Sequence, residues 1–156
     1  MTATLRTLVV AGVLSLASPA MGQAPLVVTP IQNLSFGALL PNVRTVVDAL
    51  QLTRSGQIRV QASIGAVFEV RYTLPAAMTS GTSSVPLVFG TSAAGAAASG
   101  TPASLQRFNP NVAARFRFVT TDRATLFLGG EARPRLGQAT GTYSAPIIVT
   151  ITNLGI

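Results

Sequence analysis

Apolar and polar residues alternate along most of this chain with a period of two, the spacing of a strand with one buried face. The clearest run covers residues 68–74. Its inward positions are predicted to be Phe68, Val70, Tyr72 and Leu74, and its outward positions Glu69, Arg71 and Thr73. Pro75 ends the run, because it has no N–H to donate to a neighbouring strand.

Further strand-like segments follow the same alternation or are rich in β-branched residues. They cover residues 26–36, 43–50, 58–62, 85–89, 115–118, 125–128 and 147–152. Pro30 interrupts the first, which predicts an edge strand or a switch between two sheets. The last is apolar on both faces for part of its length, so we expect it to have sheet neighbours and a facing layer. No helical period appears beyond the first 22 residues. The sequence predicts an all-β protein, an antiparallel β-sandwich of about eight strands.

Two glycine-containing stretches separate these segments. Residues 90–104 consist mainly of Ala, Gly, Ser and Thr, and we predict a flexible surface loop there. The stretch lacks the Gly-Lys-Ser/Thr ending of a phosphate-binding loop and the glycine spacing of a dinucleotide site. Gly129 and Gly130 are predicted to end a strand or to form a bulge in it.

Residues 1–22 are predicted to be a secretory signal peptide. Arg6 supplies a positive charge, residues 8–17 an apolar stretch, and small residues then form a cleavage site that leaves Gln23 first. The apolar stretch is shorter than the roughly 20 residues of a membrane-spanning helix. We therefore predict a secreted, periplasmic or cell-surface location, no membrane span after signal removal, and one β-sandwich domain over residues 23–156.

The chain is basic, with eleven Arg, no Lys and four acidic residues, for a net charge of +7. Loss of Arg6 with the signal peptide leaves ten Arg against four acids, or +6. These Arg residues are spread from Arg44 to Arg135 without the cluster that a phosphate backbone requires. The charge therefore favours a solvated surface, and nucleic acid is not predicted as a partner.

The residue inventory excludes several classes of enzyme. His and Cys are absent, which excludes a Ser–His triad, a Cys nucleophile, a disulfide and a typical zinc site. The acidic residues are Asp48, Glu69, Asp122 and Glu131, and surface ion pairing explains the last three. No Asp-x-Asp loop suggests Ca²⁺. We predict a protein that is not an enzyme and has no catalytic, cofactor-binding or metal-binding residues.

Tyr143 lies just after Gly141, ahead of the terminal strand. In immunoglobulin-like sandwiches, a Tyr near the start of a late strand can hydrogen-bond back across a corner. A structural role of this kind is predicted for Tyr143.

Four short motifs carry a resemblance to known proteins. They are Leu34-Ser35-Phe36-Gly37, Phe-x-Val-x-Tyr-x-Leu-Pro at residues 68–75, Phe127-Leu128-Gly129-Gly130, and Gln-Ala-Thr-Gly-Thr-Tyr-Ser at residues 138–144. In this order they resemble the exported bacterial proteins of the domain of unknown function 4402 family. More distantly, the chain is similar to spore coat U and archaic chaperone–usher pilin proteins. The resemblance implies an immunoglobulin-like, pilin-like sandwich in the periplasm or at the cell surface, with no assigned catalysis. Many pilin-like relatives carry a Cys pair that this chain lacks, so chaperone-guided assembly is not carried over.

Two functional hypotheses follow. The first is an exported structural or interaction protein of the cell envelope that assembles by strand pairing with copies of itself or with other envelope proteins. Its basis is the extended, apolar segment 23–31, which would add to a neighbour's sheet. The second is a monomeric binding module that recognises a saccharide or envelope polymer through loop 90–104. The two hypotheses differ in whether residues 23–31 pair within their own domain.

Overall fold

The computed structural model describes residues 25–98 and 102–155. The predicted signal peptide, residues 1–22, lies outside these ranges. Among the described residues, no helix has the length and apolar character to cross a membrane.

The described chain is almost entirely β, which confirms the predicted fold class. The strands are β1 (Val27–Gln32), β2 (Thr45–Val47), β3 (Gly56–Gln61), β4 (Val67–Thr73), β5 (Ala77–Ser80), β6 (Ser83–Val88), β7 (Ala94–Ala98), β8 (Gln106–Phe108), β9 (Ala114–Arg117), β10 (Arg123–Leu128), β11 (Gly130–Ala132) and β12 (Ile148–Gly155). One 3₁₀ turn, Pro102–Ser104, joins β7 to β8. Twelve described strands replace the predicted eight or so, mainly because several have only three or four residues.

The strands form three antiparallel sheets. The first sheet has the order β1-β3-β10-β7-β8, the second β2-β11-β6-β5 and the third β12-β4-β9. The main core lies between the first and third sheets, where Val60 and Leu126 meet Phe68 and Val70. The second sheet buries Val85 and its neighbours under chain segments that include residues 34–39 and 143–145. The arrangement is sandwich-like.

β4 confirms the alternation predicted for residues 68–74. Phe68 and Val70 are fully buried, and Tyr72 is half-buried, whereas Arg71 and Thr73 are exposed. The Phe68 ring stacks on Phe118 with their centroids 5.0 Å apart. Because β4 is the central strand of its sheet, its inward face supplies much of the main core.

Gly129 marks the point where the chain passes from the first sheet to the second, as predicted for a strand end. β10 ends at Leu128 and β11 begins at Gly130, in a different sheet. The Gly129 N–H donates to the carbonyl of Ala93 at 2.8 Å. A Cβ at position 129 would collide with the backbone carbonyl oxygen of Val47. Only glycine allows this close approach between two main chains.

The flexible surface loop predicted for residues 90–104 is wrong for residues 94–98. Residues 94–98 form β7, an inner strand of the first sheet, and Ala94, Ala96 and Ala97 are buried. The small side chains have no polar alternation to reveal a strand, but they allow close packing. A Cβ on Gly95, for example, would lie 2.6 Å from the Leu105 side chain.

Two other predicted segments are too long. In the segment 43–50 only Thr45–Val47 is a strand, and β1 ends at Gln32 rather than at residue 36. After β2 the chain turns because the Asp48 carboxylate accepts a hydrogen bond from the N–H of Leu50 at 2.8 Å. Such a local bond competes with continued sheet pairing.

Candidate functional site

An apolar groove separates the β1 edge of the first sheet from the β12 edge of the third. Its volume is about 600 Å³. Val28 lines the side formed by β1 and Val149 the side formed by β12, while Ile58, Leu126 and Leu128 also line it. Because Leu126 belongs to the main core, the groove reaches the interior between the sheets. We call this feature the edge groove.

β1 forms one margin of the edge groove and pairs only with β3. The pairing is antiparallel, from Val27 opposite Gln61 to Gln32 opposite Gln57, with a register shift after Pro30. Residues 27–31 therefore pair within their own domain, so the expected addition of segment 23–31 to a neighbour's sheet is not supported for these residues. Assembly by strand pairing would have to use the outer edge of a sheet instead. The prediction that Pro30 marks an edge strand is confirmed. The outer edge of β1 remains unpaired among the described residues.

β12 forms the opposite margin and, among the strands that the structure describes, pairs only with β4. The ladder runs from Ile148 opposite Thr73 to Gly155 opposite Val67. Ile148 is 57% exposed and Leu154 46% exposed. The terminal strand was expected to have sheet neighbours and a facing layer. Val149 and Ile151 do pack against the main core, but β12 has a single neighbour among the described strands and stands at a sheet edge.

Tyr72 lines the edge groove from β4, opposite Val149 in the ladder. Its ring lies 6.2 Å from the Phe108 ring, centroid to centroid. Burial raises the pKa of its hydroxyl above the ordinary tyrosine value. Within the described part of the chain, that hydroxyl has no hydrogen-bond partner, so the groove contains a neutral polar group in an apolar setting.

Tyr143 closes the corner beside the edge groove, as the sequence predicts. Its hydroxyl donates to the carbonyl of Ala139 at 2.7 Å and accepts a hydrogen bond from Gln138 Nε2 at 2.7 Å. The following residue, Ser144, forms an isolated antiparallel bridge with Thr79 of β5. The corner therefore holds the segment before β12 against the second sheet.

Replacing Tyr143 by Phe should lower the free energy of unfolding by about 0.5–1.5 kcal/mol, because both hydrogen bonds of the corner are lost. Urea unfolding of the two proteins measures the difference. Tyr72→Phe is the matched control, since it removes a hydroxyl without a hydrogen-bond partner among the described residues. Equal losses in both variants would contradict the structural role of Tyr143.

The acidic residues do not form a reactive cluster. All four are paired with Arg: Asp48 with Arg107 at 2.8 Å, Glu69 with Arg71 at 2.8 Å and Arg115 at 2.9 Å, Asp122 with Arg123 at 3.1 Å, and Glu131 with Arg133 at 2.6 Å and Arg44 at 3.7 Å. Hydrogen bonds from Arg lower the carboxyl pKa in each case. No group of His, Cys or acidic side chains over the described ranges could hold a metal ion.

These ion pairs predict a loss of stability in acid. Because each folded pKa lies below its unfolded value, the pairs stabilise the protein fully above about pH 5. Their contribution disappears as the pH falls through the lowered folded values. Thermal unfolding temperatures measured from neutral pH downwards should therefore fall below about pH 4. Glu69→Gln should lower the thermal unfolding temperature at neutral pH. It should also reduce the decrease of that temperature in acid. A profile unchanged by acid would contradict this prediction.

The groove residues were not predicted from the sequence as a site. Val28, Leu128 and Val149 come from three strands that are distant in sequence, and each alone has the pattern of an ordinary strand residue. Two features of the sequence could have indicated the edge groove: the apolar character of β12 and the position of Pro30.

The fold and the edge groove define an all-β, sandwich-like protein with open strand edges. Comparisons with protein-family models, curated proteins and solved structures find no match to this chain. The resemblance to the domain of unknown function 4402 family and to pilin-like proteins therefore stays a prediction.

Proposed function

We propose that this protein is an exported, non-enzymatic structural or interaction protein of the cell envelope or cell surface, which assembles by strand pairing. Its partner is another copy of the chain or another envelope protein. The observation that carries the proposal is the pair of strand edges, β1 and β12, that no described strand covers and that lie on the two sides of an apolar groove.

The chemistry of these edges supports assembly. Neither β1 nor β12 contains a charged residue, and together they present Val27, Val28, Ile31, Ile148 and Leu154 to solvent. An edge strand leaves backbone N–H and C=O groups free, and long apolar edges are normally charged, shortened or covered in soluble proteins. A strand added at either edge would satisfy these groups and cover apolar surface at the groove.

The remaining features are compatible with such a role. The predicted signal peptide supports export, and the immunoglobulin-like, pilin-like resemblance supports a place at the cell surface. The pairing of every acidic residue with Arg argues against acid–base catalysis by these groups. The alternative of a saccharide-binding module has less support, since residues 94–98 of its loop form a strand in which all but Ala98 are buried.

The test is the solution mass of the protein expressed as its full chain and processed by the cell. Sedimentation equilibrium over a range of concentrations should give masses above that of one chain. A variant with a charge on both edges, Thr29→Lys with Thr152→Lys, should stay monomeric. Leu136→Lys controls for added charge, because Leu136 is 85% exposed and lies in neither edge strand. A wild-type protein that is monomeric at every concentration would contradict the proposal.

A further inference from the structure

The three sheets leave six edge strands, and most of these edges carry a feature that hinders pairing. β8 contains Arg107, and β9 contains Arg115 and Arg117. Two copies of either strand laid side by side would bring Arg close to Arg, which destabilises a sheet. β2 has only three residues and lies between Arg44 and Asp48. These three edges are charged or too short for a stable ladder.

Two further edges are covered or irregular. The outer edge of β5 is occupied by Ser144, whose N–H donates to Thr79 at 3.1 Å while its carbonyl accepts from Thr79 at 2.9 Å. β1 contains Pro30, which cannot donate, and its register shifts after that residue. Pro and bulges at an edge are recognised obstacles to further pairing.

β12 differs from the other five edges. Its eight residues, Ile-Val-Thr-Ile-Thr-Asn-Leu-Gly, include neither a charge nor a proline. Its register with β4 is regular from Ile148 to Asn153, and a shift between Asn153 and Gly155 affects only the end of the strand. Half of the backbone N–H and C=O groups of an antiparallel edge strand point away from its neighbour. Among the described residues, no backbone–backbone hydrogen bond besides the β4 ladder reaches Ile148–Gly155, and the Gly155 N–H donates to the Asn153 side-chain oxygen at 3.0 Å.

We propose that β12 pairs antiparallel with β12 of a second copy of this chain. The third sheet of one copy and the third sheet of the other would then form a single sheet of six strands. The inference rests on the proposed function and names its partner and its edge. The order across the joint would be β9-β4-β12, then β12-β4-β9 of the second copy. A two-fold axis between the two strands makes the contact closed and self-complementary.

The side chains of β12 suit a copy of itself. Val149 and Ile151 are half-buried and pack against the main core, whereas Thr150 and Thr152 are exposed on the opposite face. Under a two-fold axis perpendicular to the sheet, like faces of the two copies become continuous. Val149 and Ile151 of both copies would then form one continuous apolar surface on the core-facing side of the sheet. On the opposite face, Thr150 and Thr152 of the two copies would form β-branched cross-strand pairs.

Electrostatics permit the pairing despite the positive charge of the chain. The charged residues nearest to β12 are Glu69 and Arg71 on β4, opposite Thr152 and Thr150. In the proposed dimer the two β4 strands would be three strand spacings apart, or about 14 Å. That separation exceeds the screening length of about 8 Å at physiological ionic strength. Repulsion between the charged residues of the two β4 strands therefore does not oppose pairing of the two β12 strands.

The test uses single charges at the centre of β12. Thr152→Lys and Thr152→Glu each set like charges near one another across the two-fold axis, so each variant should dissociate roughly tenfold more readily than wild type. An equal mixture of the two variants sets Lys near Glu and should form a mixed dimer. Uniform ¹⁵N labelling of the Thr152→Glu protein before mixing makes the two chains differ clearly in mass, so native mass spectrometry distinguishes the mixed dimer from either homodimer.

Leu136→Lys is the control for added charge and should dimerise like wild type, since Leu136 is 85% exposed and lies in neither edge strand. Thr29→Lys compares the two edges, since it adds the same charge to an exposed Thr on β1, and pairing through β12 alone predicts that it still dimerises. Thr150→Lys serves as a second β12 variant if circular dichroism finds Thr152→Lys unfolded. Wild-type protein that assembles while the β12 variants assemble equally well overturns the β12 contact but leaves the proposed function intact. Loss of assembly in Thr29→Lys alone also overturns it and assigns the β1 edge. A monomeric wild type overturns both.

Discussion

Gly129→Ala should be among the most destabilising single substitutions, with a loss of about 2 kcal/mol or more in the free energy of unfolding. The added Cβ would overlap the carbonyl oxygen of Val47 and lie 2.9 Å from the Ala49 nitrogen. Both are backbone atoms of a neighbouring segment, so no side chain can rotate away. Relief requires movement of the main chain where it passes between the first and second sheets.

Gly90→Ala is the matched control for Gly129→Ala. A Cβ at position 90 meets no atom within 4 Å, and its backbone does not require a positive φ. We expect a change within about 0.5 kcal/mol. Guanidinium unfolding followed by circular dichroism measures both variants. Similar stabilities for the two would contradict the packing assigned to Gly129.

Leu126→Ala should cost about 2–5 kcal/mol, because it removes a buried side chain from the main core and leaves a cavity. Leu126 is only 1% exposed and lies opposite Ile58 on β3 and Ala96 on β7. It also lines the edge groove, so partial access of water to the enlarged space would reduce apolar contact further.

Leu136→Ala provides the control for Leu126→Ala, since the same atoms are removed from a side chain that is 85% exposed. Its effect should be within about 0.5 kcal/mol. The difference between the two variants, measured by urea unfolding, isolates the contribution of burial. Equal effects would place Leu126 outside the core.

The sequence was most informative where a strand has one buried and one solvated face. β4 alternates Phe68 and Val70 with Glu69 and Arg71, and the structure places them inside and outside as predicted. Tyr143 was also predictable, because a corner hydrogen bond depends on a local turn. Local patterns of this kind determine which residues are buried.

β7 was not predictable from alternation. Its Ala-Gly-Ala-Ala-Ala sequence has the composition of a loop, but it lies between β10 and β8, where small side chains fit against Leu105 and Phe127. Pairing with neighbours that are distant in sequence makes it a strand. Tertiary packing has overridden composition here.

The edge groove depends on strand order, which a single sequence pattern does not contain. β1 and β12 are separated by more than a hundred residues, and each pairs with only one neighbour. Their relative placement follows from how three sheets pack, not from any motif in either strand. The uncharged character of β12 was visible in the sequence, but its position at an edge was not.

Amide hydrogen exchange of β12, followed by NMR at rising protein concentration, tests assembly through this edge most directly. The amides of Ile148–Gly155 that point away from β4 should become more protected as concentration rises, while those on the outer edge of β9 stay unchanged. Exchange at β12 that is fast and independent of concentration would contradict pairing through β12.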